Sequence, residues 1–201
     1  MHLLDAVRIN YALWKIGALR ARKIPTYTRK LELYGLFNVA AQCPQGTQAL
    51  EIGSYLGAST CYLVAALAQK NGHLFCVDTW QNETMPEGVQ DTFELFVRNA
   101  QGIRRWITIL RKRSDELGPS DIRIPLGLVF IDGDHSYEAV RRDFGLVSEW
   151  LDRAGLIAFH DCCSFKGVSR VVGEALASGE WALAGQINNL CFLKRAQYLL
   201  D

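Results

Sequence analysis

An excess of charge of either sign is what this sequence most plainly lacks: 22 Lys and Arg against 21 Asp and Glu leave a formal net charge of +1. A molecule so balanced has no overall attraction for nucleic acid, which argues against that class of partner. Long apolar runs are missing too. None approaches the roughly 18 residues of a membrane span, and Asp5, Arg8 and Asn10 interrupt the N-terminal stretch, so neither membrane insertion nor secretion is expected. Among the six cysteines (Cys43, Cys61, Cys76, Cys162, Cys163, Cys191) no pair has C-x-x-C spacing, which removes the usual ribbon-type metal sites and thiol-redox motifs. They read as reduced, mostly buried thiols of a cytoplasmic protein. No low-complexity tract divides the chain, and 201 residues with 49% hydrophobic content suffice for one globular body with a sheet covered on both faces. Residues 46–201 are expected to form its core domain. Residues 1–45 are read as a helical cap bordering the substrate or a second copy of the chain in a homo-oligomer.

A dinucleotide fingerprint is also absent. Counting G-x-G-x-x-G from Gly53 puts Tyr55 and Ala58 where the second and third glycines belong. What is present is Ala49-Leu50-Glu51-Ile52-Gly53-Ser54-Tyr55-Leu56-Gly57-Ala58-Ser59-Thr60, an apolar strand with an acid near its end that runs into a glycine turn and a helix. A carboxylate beside that turn repels a pyrophosphate but suits a ligand carrying an ammonium and a sulfonium. The pattern acidic-x-Gly-x-x-x-Gly resembles the first motif of the class I S-adenosylmethionine-dependent methyltransferases. That resemblance implies S-adenosylmethionine as cofactor, with contacts from Glu51, Gly53, Ser54, Tyr55, Gly57 and Ser59. On the residues alone, a tight strand-to-helix turn without a ligand is the alternative.

Along the rest of the chain, residues 3–20 carry Leu4, Val7, Tyr11, Trp14 and Ala18 at helical spacing, with Leu3, Leu13 and Ile16 widening the apolar face. The basic stretch from Lys15 to Lys30 reads as solvated, and a second helix spans about Arg29 to Gln42. Strands are predicted at Gln48–Ile52, His73–Val77, Trp106–Leu110, Leu126–Ile131 and Leu156–Phe159. Helices alternate with them at Ala58–Lys70, around Val89 to Ala100, from Tyr137 to Leu151 and from Gly167 to Ala177. Two last strands, Trp181–Ile187 and Leu190–Leu193, meet at Asn188-Asn189 and should pair antiparallel. The fold class is therefore α/β: a Rossmann-like, doubly wound, mostly parallel seven-stranded sheet with a C-terminal antiparallel hairpin and helices on both faces. The class I methyltransferase plan is similar, from about Thr47 to the end.

Ligands of such sheets bind at the carboxyl ends of the strands, where this chain places Glu51, Asp78, Ser114, Asp132 and Asp161. Asp78, ending the second strand, is expected to accept the ribose hydroxyls, with Thr79 beside it. Trp80 either lies against the nucleoside or is a packing residue. Ser114 matches the family position that contacts adenine. A second motif, Phe130-Ile131-Asp132-Gly133-Asp134-His135-Ser136-Tyr137-Glu138, is similar to the Asp-Gly-Asp-His signature of a branch related to the catechol and caffeoyl-coenzyme A O-methyltransferases and to antibiotic-tailoring enzymes. In the catechol and caffeoyl relatives the first acid binds a divalent metal and a basic residue three positions on deprotonates the substrate hydroxyl. The resemblance thus implies Asp132 as a metal or cofactor contact and His135 as catalytic base. Helix capping by Asp134 or Ser136, worth about 1 kcal/mol, accounts for one of these residues but not for all. His160-Asp161 at the fifth strand end would complete a metal set with Asp132. The metal-dependent relatives follow that Asp with Asn, whereas this chain has Cys162, and a thiol is a poor ligand for Mg²⁺, so a softer divalent metal is the variant reading.

The expected function is transfer of a methyl group to a hydroxyl of a small molecule, with specificity set by the N-terminal 45 residues and the loop from Gln81 to Gly88. A nicotinamide-dependent oxidoreductase and a non-catalytic module whose basic segment engages RNA or protein are the rival readings.

Overall fold

The computed structural model describes residues 3–82 and 88–198, with side chains from Leu4 onward. His2 and most of the Gln81–Gly88 loop lie outside the described residues. Seven strands form one sheet: β1 (Gln48–Ile52), β2 (His73–Asp78), β3 (Ile107–Arg111), β4 (Leu126–Ile131), β5 (Leu151–Phe159), β6 (Trp181–Ile187) and β7 (Leu190–Arg195), in the spatial order β3-β2-β1-β4-β5-β7-β6. The first five are parallel, and β7 inserts antiparallel between β5 and β6. Strand order reverses at β1, with Ile52 level with Val77 on one side and Ile131 on the other, and the crevice opens above that point. This is the α/β plan read from the sequence.

Helices α1 (Leu3–Lys15), α2 (Lys30–Gln42) and α3 (Ala58–Leu67) cover one face, where Leu13, Leu36, Phe37 and Leu63 join Leu74 and Phe130 in one core. All ten residues of α3 are buried, since it lies between the sheet and the two N-terminal helices. The short α4 (Phe93–Asn99) adds Phe96 to the same core. On the other face α5 (Tyr137–Trp150) and α6 (Lys166–Ala177) bury Val140, Val147, Val168 and Val171 against Ile131, Ile157 and Phe159. Residues 3–45 thus share a core with the rest of the chain. No helix among the described residues is long and apolar enough to cross a membrane. None of the cysteines is bridged, and five of the six are buried.

Three details depart from the sequence reading. The N-terminal helix stops at Lys15, where Gly17 takes φ +75° and a 3-10 turn, Leu19–Lys23, follows. Its inward face is Ile9, Ala12, Leu13 and Ile16, while Leu4, Val7, Tyr11 and Trp14 point outward. Two apolar stripes overlap in α1, and spacing alone selected the exposed one. Strand β5 begins at Leu151, directly after α5; its opening residues Asp152–Ala154 are exposed, which disguised them as a loop.

Candidate active site

The loops at the carboxyl ends of β1 to β5, together with the segment before α2, enclose a cavity of about 630 Å³. Its floor is the turn after β1. Gly53 takes φ +87°, and a Cβ there would stand 2.1 Å from the backbone oxygen of Asp132, so only glycine lets the loops after β1 and β4 touch. Tyr55, Trp80 and Asp161, non-glycine residues at the ends of β1, β2 and β5, also have positive φ. Such conformations persist where surrounding contacts impose them.

Asp78 supplies part of that constraint. Its Oδ2 accepts the backbone N–H groups of Ser54 (2.9 Å) and Tyr55 (2.8 Å), and its Oδ1 accepts that of Trp80 (2.6 Å). Burial raises its pKa, opposed by those backbone bonds. The carboxylate lines the cavity but spends most of its capacity of about four acceptor sites on the loop, which limits what it can offer a ribose.

Glu51 is corrected outright. It has no exposed surface and does not line the cavity; its carboxylate accepts hydroxyls from Ser54 (2.8 Å), Ser59 (2.6 Å) and Thr60 (2.5 Å). Burial pushes its pKa up to about 7 against those three bonds. A strand buried on both faces keeps this residue inside, where side chains of α3 satisfy it instead of a ligand. Of the two readings of Trp80 the structure gives packing and not cofactor contact: it is fully buried away from the cavity, donates Nε1–H to the Tyr55 carbonyl (2.9 Å) and packs on Phe93 and Phe96. Gly57 takes φ +87° to start α3, with the Phe96 ring 3.1 Å from where its Cβ would lie, and it too is outside the cavity lining. Gly53, Ser54, Tyr55, Ser59, Thr79, Ser114 and Asp132 do line it.

At the other end, backbone hydrogen bonds account for part of the Asp-Gly-Asp-His stretch. Ser136 caps α5 by accepting the Ala139 N–H (3.3 Å), and Asp134 accepts the Ser136 N–H (2.8 Å). Asp132 and His135 remain free of such duties and meet Asp161. The His135 Nε2 lies 3.3 Å from Asp161 Oδ2 and 3.7 Å from Asp132 Oδ1, buried and without a hydrogen-bond partner, while Phe165 stacks on its ring at 4.2 Å.

His135, expected as base alone, therefore stands where the metal set was expected to take His160. His160 is 3% exposed, with Nδ1 3.1 Å from Asp132 and Nε2 3.1 Å from Glu32. Burial works against its charge, but hydrogen bonds to Asp132, Asp161 and Glu32 outweigh that and push its pKa up to about 11. With both nitrogens committed to carboxylates it is a cross-link, not an available ligand. The donor atoms close enough to share an ion belong to Asp132, His135 and Asp161.

Three other site residues had gone unread. Glu32 on α2 accepts the Asn189 backbone N–H (3.1 Å) as well as bonding His160. Asn189, in the turn between β6 and β7, donates its amide to Asp161 and to Ser164 (2.7 Å). Asp143, on the buried face of α5, lines the cavity beside Ser114. Acids among apolar helix positions, such as Glu32 between Leu31 and Leu33, were the available signal.

Comparison with known proteins agrees with the fold. Residues 50–162 match the family model described as a methyltransferase domain. The Acanthamoeba polyphaga mimivirus protein R132 is 27% identical over 129 residues, 61% of this chain and 55% of that protein, so the chain spans about half the length of that relative. Among solved structures, the O-methyltransferase NovP is similar with TM-score 0.64 and 13% identity, covering 96% of this chain and 98% of its own. The O-methyltransferase TomG from Streptomyces achromogenes, described as involved in tomaymycin synthesis and solved with S-adenosylmethionine, gives TM-score 0.62 and 17% identity, covering 90% and 87%. With the family model matching more than half of the chain and the sheet order found above, the chain belongs to the methyltransferase-domain family and has the fold of the class I S-adenosylmethionine-dependent methyltransferases.

Proposed function

We propose that this chain is an S-adenosylmethionine-dependent O-methyltransferase acting on a hydroxyl of a small molecule. The observation that carries the reading is that Asp132, His135 and Asp161 open into the same cavity as the Gly53 turn and Asp78. The cavity has the size of a small-molecule site, and its carboxylates suit a cationic methyl donor. The O-methyltransferase descriptions of NovP and TomG support the choice of acceptor atom. When bound, S-adenosylmethionine supplies an electrophilic methyl group on a sulfonium.

The protein's own part is to align acceptor and methyl group and to remove a proton. His135 takes the proton of the acceptor hydroxyl, which leaves that oxygen able to act as the nucleophile. The carboxylates of Asp161 and Asp132 around Nε2 stabilise the imidazolium that forms. Phe165, stacked on the ring, fixes its plane. The expected divalent ion has a matching donor set in two carboxylate oxygens and one imidazole nitrogen, which suits a borderline metal better than Mg²⁺. Were one bound, Asp132, His135 and Asp161 would hold it, and it would supply acidification of the hydroxyl in place of a free His135 base.

The test is calorimetric titration with S-adenosylhomocysteine, followed by methyl transfer to a panel of small phenols and sugars, with and without chelator. The reading expects binding, chelator-insensitive transfer, and for His135→Ala a loss of turnover of about 100-fold or more with affinity for S-adenosylhomocysteine nearly unchanged. Absence of binding refutes the cofactor. Equal loss of binding and turnover makes His135 structural, and loss of turnover on chelation assigns the site to metal.

A further inference from the structure

Four buried side-chain atoms among the described residues have no hydrogen-bond partner, and two of them belong to residues that line the cavity. One is His135 Nε2, at the acceptor end. The other is Oδ1 of Asp143, on α5, a carboxylate only 2% exposed and outside everything assigned above. An unpaired buried carboxylate oxygen is costly, and a ligand donor that arrives on binding relieves that cost.

The surroundings narrow what the donor is. Three cations line the same part of the cavity: Lys112 pairs with Asp121 (3.0 Å) and Arg113 with Asp115 (2.9 Å), while Arg142 lies 3.8 Å from Asp115 and also acts on Asp143 without bonding its Oδ1. Burial raises the pKa of the Asp143 carboxyl group, and the nearby Ser114 hydroxyl and Arg142 moderate that rise while Asp115 and Asp134 add to it. A hydroxyl that donates its single proton to a carboxylate presents only lone pairs to a ligand. Asp143 and Ser114 together therefore form an acceptor pair, complementary to a group with hydrogens and no lone pair to offer.

Position supplies the rest. Ser114 follows β3, and β3 lies three strand positions from β4, on the order of 14 Å from the Asp132 and His135 end. A nucleoside that places its reactive end at His135 reaches that distance with its base. We propose that Asp143, with Ser114, recognises the exocyclic amine of the adenine ring and so selects an adenosyl over a keto-purine ligand; this rests on the cofactor reading above. Hypoxanthine carries a carbonyl oxygen where adenine carries the amine, and two acceptors then face each other across a dry contact. Discrimination of this kind arises when a site built for one hydrogen-bonding pattern meets its opposite.

Calorimetry with two probes at pH 8, S-adenosylhomocysteine and S-inosylhomocysteine, tests it on the full chain. The natural protein should bind the adenosyl ligand at least about 30-fold more tightly. In Asp143→Asn, whose carboxamide can turn a donor toward the carbonyl, that ratio should fall by about tenfold, chiefly through recovery of the inosyl ligand. Ser114→Ala, a smaller change, should lower the ratio in the same direction and decides the question if Asp143→Asn does not fold. A natural protein that binds both probes alike overturns the inference while leaving the methyltransferase reading intact. So does an unchanged ratio in both variants, or an equal loss of both ligands, which would make Asp143 structural. Binding of neither probe by the natural protein refutes the cofactor reading itself.

Discussion

Replacing Glu51 by Gln tests the corrected role of this residue. Its carboxyl group is fully buried among three hydroxyls, and no cation offsets it: the titratable groups that interact with it are Asp132 at the end of β4, Cys61 on α3 and Cys76 on β2. Burial raises its pKa from 4.5 to about 7 in the folded chain. An acid whose folded pKa is raised binds its proton more tightly in the native state than in the unfolded one. Its contribution to stability is therefore present at low pH and is lost as pH rises from the unfolded toward the folded value. Between pH 5 and pH 8 the loss amounts to about 2–3 kcal/mol. Gln keeps the shape, cannot ionise, and leaves the hydroxyls free to rotate toward its amide. Urea unfolding of both proteins across that range should show the variant gaining about 2–3 kcal/mol on the natural chain from pH 5 to pH 8, with other titrating groups cancelling in the difference. A constant difference across the range would refute the reasoning. A variant that loses ground toward pH 8 would mean that the charged form is the one the fold prefers.

Gly53→Ala should cost more than about 2 kcal/mol in urea unfolding, because a side chain there meets the Asp132 backbone oxygen and needs a left-handed φ. Glu32→Ala should cost about 3–5 kcal/mol by the same measurement, since it leaves His160 buried with one carboxylate fewer and frees the Asn189 N–H. Trp80→Phe should cost about 1–3 kcal/mol through loss of the Nε1–H hydrogen bond to the Tyr55 carbonyl. Calorimetry should find its affinity for S-adenosylhomocysteine within about threefold of the natural chain, as the ring lies outside the cavity.

The architecture was legible because parallel strands buried on both faces write themselves as unbroken apolar runs, as Leu126–Ile131 does, and because each run is followed by a turn and a 3.6-period segment. The row of acids at the strand ends was legible for the same reason. Which of them face the cavity was not. Glu51 and Asp78 look alike in sequence, and the difference lies in Ser59 and Thr60, which fold back from α3 to occupy one carboxylate and not the other. A similar limit applies to α1, where the outward Leu4, Val7, Tyr11 and Trp14 keep helical spacing as well as the inward Ile9, Leu13 and Ile16 do. His135 and not His160 joins Asp132 and Asp161 because Glu32, contributed by a helix far away in the chain, claims His160. No local pattern encodes that pairing.

That pairing has a bearing on how the protein is made. Glu32 bonds to groups 128 and 157 positions further along the chain, so two carboxylate oxygens near the start hold residues near the end. Contacts so distant in sequence form late, after the loops between them have closed. During synthesis helices α1 and α2 leave the ribosome long before Asn189 exists, and Glu32 stays hydrated until the β6–β7 hairpin arrives. The acceptor end of the cavity therefore depends on synthesis as far as the β6–β7 turn, because a chain cut short after β5 holds Asp132, His135 and Asp161 but lacks the asparagine that hydrogen-bonds Asp161.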